Sequence, residues 1–190
     1  MQVFIRRRYV YIDVKNIFYW IGCEGVLYLK KLSENDGRQI YDMLQGIAGN
    51  ENGFHNNVKD MPYEQFKNWL IENVNYSNGT GLEDWMVPQT TYWLFDDDTP
   101  VGIGRIRHYL NDSLRKDGGH IGYAISYIYR GKGYGNEILR LLLVKTNEMG
   151  IREVHVGANK DNEKSNKIIK TNGGKLIRET EEKNYYTIIS

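Results

Sequence analysis

The hydrophobic positions of this chain change period several times, and each change marks a predicted element. Val10, Ile12 and Val14 alternate with other residues and predict a strand, with Val3 and Ile5 as a second alternating pair before the run Arg6-Arg7-Arg8. "LYLKK" from Leu27 reads as another short strand. Ile40, Met43, Leu44 and Ile47 then follow at helical spacing, with Ser33 as the predicted N-cap, Asp36 as its capping-box partner and Gly49 as the stop. A polar loop, Asn50 to Asn57, leads to a second helix starting near Pro62, with Phe66, Trp69, Leu70 and Val74 on one side.

The middle of the chain switches to strand chemistry. "TTYWLF" (Thr90 to Phe95) is β-branched and aromatic, "DDDTP" turns, and "VGIGRIRHYL" from Val101 returns as the hairpin partner. After the loop "NDSLRKDGG", "HIGYAISY" (His120 to Tyr127) predicts a further strand. A helix from about Gly135 to Met149 follows, with Ile138, Leu141, Leu142 and Met149 toward the core and Gly150 as its C-terminal cap. "IREVHVGA" is a strand again, so residues 120–158 read as a βαβ unit with parallel strands and a right-handed crossover. A short helix after Asn162 ends at Gly173-Gly174, and "KLIRE" with "YYTII" closes the chain as a hairpin.

Composition narrows the class. With 41% hydrophobic and 26% charged residues, the 190-residue chain suits one soluble globular domain. A net charge of +1 with scattered basic residues argues against a nucleic-acid footprint. The stretch "IFYWIGC" is too short for a secretory core or a membrane span, and the single cysteine, Cys23, allows no intrachain disulfide, so a cytoplasmic location with no membrane partner is expected.

The chemistry concentrates in "YRGKGYGNEILRLLL", where Gly131, Gly133 and Gly135 precede a helix. A strand, a glycine loop and a helix N-terminus together form an anion site, with Lys132 adding charge and Arg130 a forked donor. No Ser or Thr follows Lys132 as a Walker motif requires, and the spacing is not that of a dinucleotide fingerprint.

"RGKGYG" (Arg130 to Gly135) resembles the (Q/R)-x-x-G-x-(G/A) pyrophosphate loop of the GNAT superfamily of acetyl-CoA-dependent N-acetyltransferases, and the order of elements resembles that fold. "NEKSNKIIKTNGG" (Asn162 to Gly174) is similar to the family's N-x-x-S/A helix beside the pantetheine arm. "IRHYLND" and "GGHIGY" further resemble a subgroup of predicted acetyltransferases. The resemblance covers about residues 27–190 and leaves residues 1–26 as an N-terminal extension, expected to pack on the domain. It implies an α/β (α+β) fold with a mixed, mostly antiparallel sheet and helices on both faces. It also implies acetyl-CoA as cosubstrate, no metal, and a small-molecule or peptide amine as acceptor; a homodimer is compatible with it.

By that resemblance, the cofactor contacts fall on Ala124, Ile125, Ser126, Tyr127, Arg130, Gly131, Lys132, Gly133, Tyr134, Gly135, Asn162 and Ser165. The Ile125 backbone is the expected oxyanion donor. Many relatives carry Tyr seven residues after the Asn, but here that position is Ile169, which leaves the leaving-group acid open among Tyr127, Tyr134 and the Tyr185–Tyr186 pair, with Tyr134 as the catalytic candidate. His120 is the expected base, with Glu51, Glu83 and Asp84 as carboxylate alternatives and His155 as a structural residue. Phe54 and His55 are expected substrate contacts. Arg105 and Arg107 share one face of their strand with Ile103; they either recognise an anionic group on the substrate or form part of a salt-bridged sheet surface. Direct attack in a ternary complex is the expected mechanism, because Cys23 lies outside the matched region. The rival readings are a CoA-binding sensor with lost catalysis, kept open by Ile169, and a binder of some other phosphate or nucleotide.

Overall fold

The computed structural model describes residues 25–189 in full and, before them, the backbone of three strand segments, β1 (Ile5–Arg6), β2 (Val10–Val14) and β3 (Ile17–Ile21). Val3, Arg7, Arg8 and Cys23 lie outside the described residues. β2 and β3 pair antiparallel as a hairpin, and β1 pairs antiparallel with the edge of β4 (Val26–Lys31), Ile5 opposite Leu27.

Two helices follow, α1 (Arg38–Gln45) and α2 (Tyr63–Ser77), separated by two short strands, β5 (Asn50–Glu51) and β6 (Phe54–His55). The predicted capping box does not cap α1, which starts four residues later at Gly37. Asp36 instead closes a turn, accepting from the Ser33 N–H at 2.9 Å, from Trp93 Nε1 at 2.6 Å and from Lys30 Nζ at 2.5 Å. Three donors converging on one buried carboxylate outcompete a single helix-end bond. The predicted polar loop is also structured. Asn52 and Gly53 both take positive φ, 53° and 79°, which makes the tight turn of a two-residue hairpin between β5 and β6.

β7 (Gln89–Asp96), β8 (Thr99–Arg107) and β9 (Ile121–Ile125) complete a five-stranded sheet in the order β1-β4-β7-β8-β9, with every pairing antiparallel. Its centre is buried on both sides. Trp93 and Phe95 point into one cluster with Met43, Leu44, Phe66 and Leu70 of α1 and α2. Tyr92 and Leu94 point into the other, with Ile138, Leu139 and Leu142 of α4 (Tyr134–Glu148). Burying each such side chain contributes roughly 1.5–3 kcal/mol, so the alternation of β7 fixes which helices lie on which face. The segment after β8 carries a short helix, α3 (Asp112–Lys116), where a loop is predicted; Asn111 caps it, its Oδ1 accepting from the Leu114 N–H at 2.9 Å.

α4 leads to β10 (Glu153–Asn159), α5 (Glu163–Thr171), β11 (Lys175–Glu179) and β12 (Lys183–Ile189). Met149 caps α4 and is 38% exposed rather than in the core, because the helix has already turned at Gly150. β12 runs between β10 and β11 in a separate three-stranded sheet. The predicted parallel pairing of β9 with β10 does not form a ladder; the strands touch at the start of β9, where the His120 N–H donates to the His155 carbonyl at 2.7 Å. Beyond that point a cavity lies between them. Among the described residues, no helix is long and apolar enough to cross a membrane.

Candidate active site

The register of β8 on β9 decides which backbone groups face the gap. The Ser126 N–H donates to Val101 and the Arg107 N–H to His120, at 3.1 and 2.9 Å, so these positions form hydrogen-bonded pairs. Antiparallel pairs alternate, so Gly122 and Ala124, opposite Arg105 and Ile103, also spend their backbone groups on β8. Tyr123 and Ile125 therefore turn theirs toward the outer edge, where β10 supplies no ladder. The Ile125 carbonyl is taken by Arg130 Nε at 3.0 Å.

A cavity of about 750 Å³ lies along this edge. At one end Gly131 (φ 79°) and Gly133 (φ 86°, the N-cap of α4) hold left-handed conformations that side chains disfavour. Gly135 serves a different need, since a Cβ there would come within 2.9 Å of Ile168 Cδ1 on α5. The helix dipole makes that end of α4 favourable for a phosphate. Asn162 caps α5, its Oδ1 accepting from the Ser165 N–H at 3.1 Å and its Nδ2 donating to Ser165 Oγ at 2.8 Å.

Ala124, Ile125, Arg130, Gly131, Gly133, Tyr134, Gly135, Asn162 and Ser165 line this cavity, as do Phe54, His55, Arg105 and Arg107. Ser126, Tyr127, Lys132 and His120 do not. Ser126 is buried with its N–H on Val101, and the Tyr127 N–H is bound by Gly46, leaving a ring that is 75% exposed. Lys132 Nζ lies over the Tyr129 ring, 5.7 Å from its centre. The Arg130 fork is occupied by both Glu51 oxygens, at 2.9 and 2.7 Å, so it fastens the β5–β6 hairpin and holds the Glu51 carboxyl below the usual range. Glu83 is exposed and accepts from Trp85 Nε1 at 2.6 Å, outside the cavity with Asp84.

His120 lies outside the cavity lining and is engaged with β10. Its Nδ1 accepts the His155 N–H at 3.0 Å, and burial, then His155, Arg115 and Arg107, push the imidazole down to about 4. A group neutral at that level in the fold and near 6.5 when unfolded lets the unfolded chain bind the proton first. Its contribution is therefore present above about pH 6.5 and lost as pH falls toward 4. His120→Asn, which keeps an acceptor near the Nδ1 position, should flatten that part of the stability–pH curve. Urea melts of both proteins at pH 4.5, 5.5 and 7 check it; parallel curves would clear His120 of this role.

The tyrosines proposed from sequence are also engaged. The Tyr134 hydroxyl donates to Asp96 Oδ2, Tyr186 donates to Asn166 Oδ1 at 2.7 Å, and Tyr185 lies under Arg178 with its hydroxyl 3.4 Å from Asp117. Sequence reasoning missed Tyr123, which lines the cavity. Its hydroxyl is out of solvent with no hydrogen-bond partner among the described residues, and burial pushes the phenol up to about 12 against a smaller pull from Ser165. The signal was available, since residues 121, 123 and 125 share one side of the strand's backbone pattern. Lys164 and Lys167 of α5 also line the cavity and were not anticipated.

A split sheet, an unpaired strand edge and a glycine-capped helix beside one cavity make up the architecture of the site. The acetyltransferase (GNAT) domain model matches residues 27–175, and the chain belongs to that family of acyltransferases. No curated protein sequence matches it. Among solved structures, a ribosomal-protein-S5-alanine acetyltransferase from Vibrio fischeri superposes with a TM-score of 0.66 at 14% identity, covering 95% of this chain and 96% of that one. RimL, a ribosomal L7/L12 α-N-protein acetyltransferase in complex with coenzyme A, gives 0.64 at 16% identity, over 86% and 93%. The N-acetyltransferase PseH from Campylobacter jejuni, in complex with acetyl coenzyme A, gives 0.58 at 10% identity, over 86% and 99%.

Proposed function

We propose that this protein acetylates a primary amine by direct attack on acetyl-CoA within a ternary complex. The observation that carries the reading is the outer edge of β9, with Tyr123 and Ile125 turned outward, running into the Gly131–Gly133 cap of α4. When bound, acetyl-CoA supplies the acetyl group as a thioester, already activated toward amines. The cap of α4 binds its phosphates, flanked by Lys164 and Lys167. The outward backbone groups of Tyr123 hold the pantetheine arm, and the Ile125 N–H, whose own carbonyl is held by Arg130, receives the charge that develops on the carbonyl oxygen.

Two proton movements remain. His55 and Glu51 are candidate bases in the lining. Arg130 reduces the basicity of Glu51, so the His55 imidazole takes the ammonium proton. The phenol of Tyr123, kept protonated by burial, supplies a proton to the departing sulfur through Ser165, replacing the tyrosine that Ile169 displaces. Both side chains line the cavity, and Ser165 stands one helical turn before Ile169.

Acetyl-CoA at 100 times its dissociation constant should add about 2.7 kcal/mol, a melting shift of roughly 5–10 °C for a domain of this size. Tyr123→Phe should keep the shift and lower kcat by about 10–100-fold, and Cys23→Ser should change neither. Thermal shift with acetyl-CoA and turnover across an amine panel test these together. A shift without turnover on any amine would identify a CoA-binding sensor, and loss of transfer in a folded Cys23→Ser variant would replace direct attack with an acyl-cysteine route.

A further inference from the structure

We infer that the acceptor amine carries an oxyanion group, a carboxylate or a phosphate monoester, held by Arg105 with Arg107 beside it. The inference rests on the transferase reading above and names its substrate class.

Arg105 and Arg107 lie on the β8 face that points under the β5–β6 hairpin, and both line the cavity. Neither makes an ion pair among the described residues, which removes the salt-bridged-surface alternative for this face. A guanidinium has five N–H donors. For Arg105, one Nη1 donor goes to the His55 carbonyl at 2.9 Å, the Phe54 ring lies 4.9 Å from the guanidinium carbon, and Nε is shut off from solvent with no partner. Arg107 gives Nη1 to the Gly119 carbonyl at 2.8 Å. Burial, then the neighbouring Arg107, pushes Arg105 down to about 10, so it stays charged at neutral pH.

Two like charges side by side, each spending Nη1 on a backbone carbonyl and keeping the rest of its fork, oppose each other unless an anion joins them. Local polar groups do not supply it. Glu51, the acidic side chain in the lining, is occupied by Arg130, and Asp117 acts on Arg107 but does not line the cavity. Position favours the acceptor over the cosubstrate. Arg105 stands opposite Gly122, three residues and about 10 Å along the strand from Ile125, in the direction away from the glycine loop. Gly122 has no side chain, and the Phe54 ring fills that space, 3.6 Å from where a Cβ would stand, walling the end of the cavity. A substrate oxyanion bound there leaves its amine pointing along β9 toward the acyl site.

The test measures binding with unreactive CoA bound, so it does not depend on turnover. Matched probes are phenylalanine against phenylalaninamide for the carboxylate, and phosphoethanolamine against ethanolamine for the phosphate. Calorimetry of wild type, Arg105→Gln and Arg105→Lys with these probes, and with acetyl-CoA alone, reads the assignment. At least one anionic probe should bind about 10–100-fold tighter than its neutral partner, and Arg105→Gln should erase that preference without changing acetyl-CoA affinity. Arg105→Lys, which keeps the charge but not the fork, should retain part of it. Equal affinity for both members of each pair in the wild type would overturn the inference. So would an Arg105→Gln defect confined to acetyl-CoA, since the anion would then be the cosubstrate's own phosphate. Anion preference at Arg105 with no transfer to any amine in the turnover panel would sink the transferase reading, and the acceptor assignment with it, leaving only an anion site at Arg105.

Discussion

Gly133→Asp is expected to weaken acetyl-CoA binding by about 100-fold or more, because two like charges about 4 Å apart repel by roughly 4 kcal/mol at an effective dielectric near 20. The position is the left-handed N-cap of α4, where a side chain brings two separate costs: the conformation and the charge. Asparagine separates them, since Asn and Asp tolerate that conformation comparably and are nearly the same size. Gly133→Asn should therefore fold as Gly133→Asp does and lose much less affinity. Calorimetric titration of both with acetyl-CoA gives the difference. Equal losses would mean that the loop acts through its shape and that no phosphate sits on the cap.

The second large effect falls on stability. Gly119→Ala should cost about 3 kcal/mol, combining a left-handed backbone with overpacking. Gly119 has φ 73°, and a Cβ there would stand 2.4 Å from the His155 carbonyl oxygen, a backbone atom that cannot rotate away. This is the point where β9 and β10 meet. Gly37→Ala is the control: its φ is −115° and nothing lies within 4 Å of the added carbon, so it should stay within about 0.5 kcal/mol of the parent. Urea denaturation of both variants checks the contrast, and a Gly119→Ala protein as stable as Gly37→Ala would show that the two strands part easily.

What the chain revealed in sequence, and what it withheld, follows the range of the forces. Periodicity placed α2, α4, β7 and β8 because each burial choice is local to its own element. The glycine loop was legible because positive φ is demanded residue by residue, at Gly131 and Gly133. Ser33 and Asp36 failed as a capping box because Trp93, 57 residues away, supplies a stronger claim on the carboxylate. Asn52-Gly53 carries the chemistry of a hairpin turn, but the polar residues around it read as loop. The fate of the tyrosines and of His120 depended on partners such as Asp96, Asn166 and His155, which no spacing encodes. Arg105 and Arg107 were ambiguous for the same reason, and only the packing around them shows that neither makes an ion pair among the described residues.

The missing ladder between β9 and β10 has a mechanical consequence. Leu27, Ile121, Ile125, Val154, Val156, Tyr186 and Ile188 belong to one apolar cluster, so the two sheets are coupled chiefly through side-chain packing. Packing tolerates small slips that a row of hydrogen bonds does not, so this seam should yield more readily than the laddered pairs around it. A ligand that hydrogen-bonds along the outer edge of β9 would convert the seam into a splint, so under the proposed function rigidity would arrive with the substrate and depart with the product.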